Sequence, residues 1–156
     1  MNYILADLES TVQYFRAFAE DDELLPAFYF GTLDQVIAAS RGDEDFHYPC
    51  LWLDLPQIVT EDNEANNLME NYSFQISAFF SAESDSAPKK ETAYADSLKL
   101  LYRIQKQLKH DNKKGILCFE LSGNKKIPLN SALFNGTHYG YFLDFDASFY
   151  ANEFLC

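Results

Sequence analysis

Cysteine is scarce in this chain: Cys50, Cys118 and Cys156 are three in number, far apart, and outside any C-x₂-C spacing. That excludes a zinc knuckle or a redox dithiol built on neighbouring cysteines. Cations are also few, 12 Lys and Arg against 24 Asp and Glu for a net −12. The field of such a surface repels nucleic acid and anionic lipid, so no specific nucleic-acid binding is expected. No apolar run approaches the ~20 residues of a membrane span. Met1–Asp7 lacks a basic leader, and a soluble, unprocessed chain without a membrane partner is expected. The six glycines form neither a G-x-G-x-x-G nor a Walker pattern, which removes the usual phosphate-cradling loops.

What is present is a large aromatic content, 14 Phe, 10 Tyr and one Trp in 156 residues, with 47% hydrophobic residues overall. This is the composition of one folded domain with a sizeable core. Apolar residues at Ile4, Leu5, Leu8, Val12, Phe15 and Ala19 recur at helical steps and predict a helix over 3–19. A brief strand at 27–31 follows, then a short helix capped by Thr32 and ending near Gly42. Cys50–Leu55, apolar on both faces and bracketed by prolines, reads as an interior strand. Residues 57–67 read as an acidic loop, and Tyr72–Phe80 as an alternating strand. After a polar loop over 81–88, a stripe of Tyr94, Leu98, Leu101, Ile104 and Leu108 predicts a long helix over 91–109. Strands at 116–121, 127–134 and 139–150 close the chain, with a turn at Ser122–Asn124. The order predicts a single α+β domain over 1–156, a mixed β-sheet packed against two main helices. The long crossover from Phe80 to Ile116 would make the strands it joins parallel.

No motif specifies a reaction. His47, His110 and His138 fall on three separate predicted loops without a nucleophile beside them. Asp144, Asp146, Asp54 and Glu120, with Lys125, are the nearest approach to a metal-dependent nuclease set, but a predicted turn separates Glu120 from Lys125. The expectation is therefore no catalytic residue, no metal and no cofactor. Cys50 and Cys118 read as small buried hydrophobes.

The distribution of charge says more. Residues 89–126 hold ten of the twelve cations against four acids, leaving +6 in that segment and −18 in the remainder. A basic face of one subunit could meet an acidic face of the next, the arrangement that closes head-to-tail rings. Lys99, Arg103, Lys106 and Lys109 on the long helix are the candidate contact residues, and a solvated helix face is the competing reading. Tyr139 and Tyr141 alternate on the last strand, which places them in the core or, alternatively, in a subunit contact.

The run Tyr48-Pro49-Cys50-Leu51-Trp52-Leu53 leading into a strand, the alternating strand Tyr72–Phe80, the polar loop, the helix Thr92–Lys109 and the closing strands to Phe149 give a distinctive order. Over residues 46–150 it resembles the tail-terminator (tail-completion, head–tail joining) proteins of long-tailed bacteriophages and related contractile tail-like particles. The resemblance implies a small α+β subunit that forms a ring, commonly a hexamer, capping the finished tail tube and presenting the surface joined to the head. The implied partners are further copies of the chain, the tail tube protein and the head–tail connector. Its implied place is the tail or neck of the virion, after assembly in the bacterial host cytoplasm, and its role is structural rather than enzymatic. No site residue is carried over from the family. A bacterial binding or adaptor domain, and a small metal-dependent hydrolase or nuclease, are the alternative classes.

Overall fold

The computed structural model describes residues 8–62, 64, 68–82, 86–114, 120–128 and 138–150. Among these residues three helices and six strands follow in the order α1 (Leu8–Asp21), β1 (Ala27–Phe30), α2 (Leu33–Gly42), β2 (Cys50–Leu53), β3 (Gln57–Asp62), β4 (Leu68–Ser81), α3 (Ala87–Lys113), β5 (Glu120–Pro128) and β6 (His138–Tyr150). The sheet order is β1-β2-β4-β6-β5, with β3 also paired to β4. The first pair, β1–β2, is parallel and every other pair antiparallel. The architecture is the expected mixed sheet in one α+β domain.

The 14-residue β4 is the spine of the sheet. β6 pairs with it from Met69 to Ser81, while β2 and β3 share its other side. Because side chains alternate across a strand, Tyr72, Phe74, Ile76 and Ala78 face one way with their partners Leu51, Leu53, Leu143, Phe145 and Ala147. Val12, Phe15 and Ala19 of α1 and Leu100, Leu101, Ile104 and Leu108 of α3 cover this face. Phe74 stacks on Phe145 at 5.3 Å, and Phe15 closes on the pair at 5.9 Å from Phe145. Each such large buried side chain stabilises the fold by about 1.5–3 kcal/mol relative to exposure. On the opposite face Cys50, Trp52 and Phe79 form a smaller cluster with Val36 of α2.

Several boundaries differ from expectation. Residues 57–62, read as loop, form β3: the β-branched run Ile58-Val59-Thr60 pairs with Glu70–Tyr72, but both faces stay exposed, so no buried alternation marked it. Leu53 ends β2 two residues early, and the Asp54 amide then bonds the Gln75 carbonyl at 3.0 Å. The anticipated turn at Ser122–Asn124 lies inside one strand, β5, as a shift in register against β6 between Ser122 and Lys125. Most of the strands expected at 116–121 and 127–134, and residues 3–7 of the first helix, lie outside the described residues. As for the crossover, β4 and β5 do run parallel, but β6 is inserted between them.

The long helix also exceeds its expected span, from Ala87 with Pro88 in its first turn to Lys113. Its buried line is Ala93, Ser97, Leu100, Leu101, Ile104, Leu108 and Asp111, shifted from the anticipated stripe so that Tyr94 and Leu98 flank it. Ser97 belongs there because its hydroxyl accepts from the Tyr141 amide at 2.8 Å and donates to the Ala78 carbonyl, bridging β6 and β4. At Gly140 a side chain would force the backbones of β4 and β6 to shift: an added Cβ would lie 2.0 Å from the Ala78 carbonyl oxygen.

Candidate assembly surfaces

The burial of one line of α3 puts the residues two turns apart on its far side. Lys99, Lys106 and Lys113 are spaced by seven, with Lys109 beside them, and all four are exposed. Lys99 pairs with Asp96 at 3.0 Å. Among the described residues no carboxylate pairs with Lys106, Lys109 or Lys113. Lys126 of the edge strand β5 extends this ridge: its ammonium donates to Gln105 at 2.7 Å and lies 4.8 Å above the Tyr102 ring. Desolvation, and next the charge of Lys109, push its pKa down.

Arg103 does not join the ridge. Its Nε and Nη2 donate to the two carboxylate oxygens of Asp22 at 3.0 and 3.1 Å, and its Nη1 to Glu23 at 2.9 Å. The acidic run at the end of α1 thus supplies a buried Asp22 that anchors Arg103 within the subunit and caps the Leu24 amide. Tyr139 and Tyr141 lie under α3, at 5.7 and 5.8 Å from the Tyr94 ring. Tyr139 is buried, with Lys90 above its ring, and Tyr141 is half-buried. Of the six anticipated contact residues, the three lysines share one surface, Arg103 is held by α1, and the two tyrosines are packed against α3.

Between α1 and α3 runs an open groove of about 1110 Å³, lined by Tyr14, Phe18, Lys106, His110 and Asp111 among others. Tyr14 donates to the buried Asp111 at 2.8 Å and Gln107 to the same carboxylate at 2.9 Å. Burial, and then this acceptor, raise the Tyr14 pKa well beyond the usual tyrosine range.

The other side of the sheet is acidic. From Gly42 to Pro88 the sequence contains ten Asp and Glu and no Lys or Arg. Glu61, Asp62, Glu64 and Glu70 lie on the β3–β4 hairpin, and Asp43, Glu44 and Asp45 follow α2. The hairpin also exposes Ile58 and Val59, 47% and 58% accessible, with Leu55 beside them at 47%. Acids and exposed aliphatics thus cluster on the β1–β2–β3 side of β4 and lysines on α3 and β5, although Asp21 and Glu23 line the same groove as Lys106 and Lys109, and Asp144 and Asp146 lie on β6. The apolar contribution of this hairpin was invisible in a stretch read as loop.

At the end of the sheet where β2 begins, Tyr29 donates to Asp43 at 2.7 Å and stacks on Phe46 at 5.3 Å. Phe46 meets Tyr48 edge-on, and the Tyr48 hydroxyl lies 2.9 Å from His138 Nε2. His138 therefore belongs to β6 and is buried, and His110 belongs to α3; only His47 stays on a loop. Cys50 is fully buried, which raises its thiol pKa far above the usual range; Cys118 lies outside the described residues. Of the residues considered for a nuclease, Asp144 on β6 stands opposite Gln75 of β4 and Lys125 of β5, Asp146 opposite Ser73 and Ser122, and Glu120 opposite Ser148, while the amide of Asp54, after β2, bonds the Gln75 carbonyl. Among the described residues no three His, Cys, Asp or Glu converge as metal ligands, and no helix is long and apolar enough to cross a membrane. No protein-family model matches the chain, and no curated protein matches its sequence.

Proposed function

We propose that this chain is a structural subunit that assembles head-to-tail into a ring and, as its resemblance to tail terminators implies, caps a phage tail tube and joins it to the head connector. The observation that carries the reading is the division of charge across one sheet. A lysine ridge on α3 and β5 lies on one side, and an acidic, partly apolar hairpin with the acids after α2 lies on the other. Two different faces of opposite sign favour a heterologous contact repeated around an axis, since a two-fold contact would set like against like unless both patches lay at one interface. Its place is then the tail or neck of a virion assembled in the bacterial cytoplasm, and its role is structural, without a cofactor. Mass photometry and negative-stain microscopy of the purified protein should show closed rings, and the rings should bind the open end of tail tubes. A strict monomer that leaves tube ends bare overturns the reading.

A further inference from the structure

The loop before β2 is held at two points by histidines whose surroundings demand opposite charge states. The ring of His47 has Nδ1 2.9 Å from the Asp45 carbonyl oxygen and Nε2 2.9 Å from the Leu25 carbonyl oxygen. A carbonyl only accepts, so both contacts are hydrogen bonds only when both ring nitrogens carry protons, that is, in the imidazolium form. On neutral imidazole one nitrogen would turn its lone pair toward a carbonyl oxygen. His138, by contrast, is buried with its ring 5.2 Å from both Phe79 and Tyr48. Tyr48 can donate to a neutral Nε2 at 2.9 Å, whereas charging this ring removes a cation from water.

We propose that Asp45–Tyr48 is a pH-windowed clasp, closed while His47 is charged and His138 neutral, and released on either side of that window. The clasp covers something definite. Phe46 packs on the cluster of Val36, Cys50, Trp52 and Phe79, and Tyr48 meets Phe79 edge-on. Release of the loop uncovers that apolar cluster at the end of the sheet where Leu24 and Leu25 are already exposed, so the device controls an apolar surface. Among the described residues, the ionisable groups around it include Asp45 and Asp43 on the loop itself, Tyr29 on β1, Tyr48, and Cys50 on β2. Tyr29 and Cys50 stay neutral, since burial raises both well above the physiological range. Asp43 is held ionised by the Tyr29 hydroxyl and the Asp45 amide.

The signs follow from linkage. The two backbone acceptors raise the His47 pKa above 6.5. Its contribution is therefore complete below about pH 6.5 and lost as pH rises through the raised value. Burial lowers the His138 pKa to about 4. Its contribution is complete above about pH 6.5 and lost as pH falls toward that value.

Trp52, the one tryptophan in the chain, is buried beneath the clasp, its indole N–H donating to the Gly31 carbonyl at 2.8 Å. Acrylamide quenching of its fluorescence, followed from pH 4 to 9 in the full-length protein, should pass through a minimum in mildly acidic solution. On either side the open population should rise about fivefold, the effect of one net hydrogen bond. His47→Asn should abolish the alkaline limb alone and His138→Phe the acid limb alone. A profile with one limb, or one that both variants leave unchanged, overturns the clasp. Should a variant fail to fold, imidazole NMR titration of the parent decides: His138 titrating above His47 overturns it equally.

Discussion

Replacing Ser97 by Ala removes one oxygen from the middle of the domain, and the structure gives the consequence a size. Ser97 is fully buried on α3, and its hydroxyl stands between the Tyr141 amide of β6 and the Ala78 carbonyl of β4. Ala leaves a buried donor and a buried acceptor unmet at a cost of about 1–3 kcal/mol each, and the space left by one oxygen is too small to readmit water. Partial relaxation of the two strands toward each other would recover some of this, so a net loss of about 2–3 kcal/mol is expected. Ser97→Cys keeps the size with a weaker donor and acceptor and should fall between parent and Ala. Urea unfolding monitored by Trp52 fluorescence, compared at equal m-value, measures the difference. A loss below about 0.5 kcal/mol for Ser97→Ala, or Cys no better than Ala, would refute the bridge, since surface-like substitutions fall in that range.

Gly140→Ala should be more damaging still, because its Cβ would meet backbone of β4 rather than a movable side chain; thermal unfolding should show a loss of about 3 kcal/mol or an insoluble product. Arg103→Ala should cost about 2 kcal/mol in the same urea assay, by leaving the buried Asp22 carboxylate without its fork while Glu23 remains in solvent. Reversal of Lys106 and Lys109 to Glu should leave monomer stability within about 0.5 kcal/mol of the parent, yet slow assembly in sedimentation at low salt. Equal assembly rates would mean that the lysine ridge is merely solvated.

The sequence announces those parts of the molecule whose periodicity is imposed by a buried face. The core residues of β4 alternate, the core residues of α3 recur at helical steps, and α2 starts beside Thr32, whose amide donates to Gln35 at 2.9 Å. β3 was hidden for the opposite reason: its ladder to β4 is made by backbone, and with every residue exposed it carries no pattern of burial. Arg103 looked like its neighbours because cation spacing along a helix does not show which side another helix approaches. Its place one position round from the ridge, toward α1, turned it into an internal anchor. Asp111 shows the same limit, an acid just past the expected end of the long helix that is buried against Tyr14 and Gln107.

The charge division has an energetic limit that bears on how a ring would hold together. An exposed ion pair is worth about 0.2–1 kcal/mol and is screened beyond about 8 Å in physiological salt. Three or four lysines meeting the acids of a neighbouring hairpin would therefore set orientation and encounter rate, and the affinity would have to come from apolar area. The acidic side carries such area at Leu55, Ile58 and Val59, and the basic side at Tyr102, 54% accessible beside Lys126. Val59→Ser and Lys106→Glu should then separate the two contributions. The first should raise the concentration needed for rings with little change in salt dependence, through faster dissociation; the second should slow association and flatten its salt dependence. If Val59→Ser leaves the assembly midpoint unchanged while Lys106→Glu abolishes rings at every concentration, charge rather than apolar burial supplies the affinity, and this account of the interface is wrong.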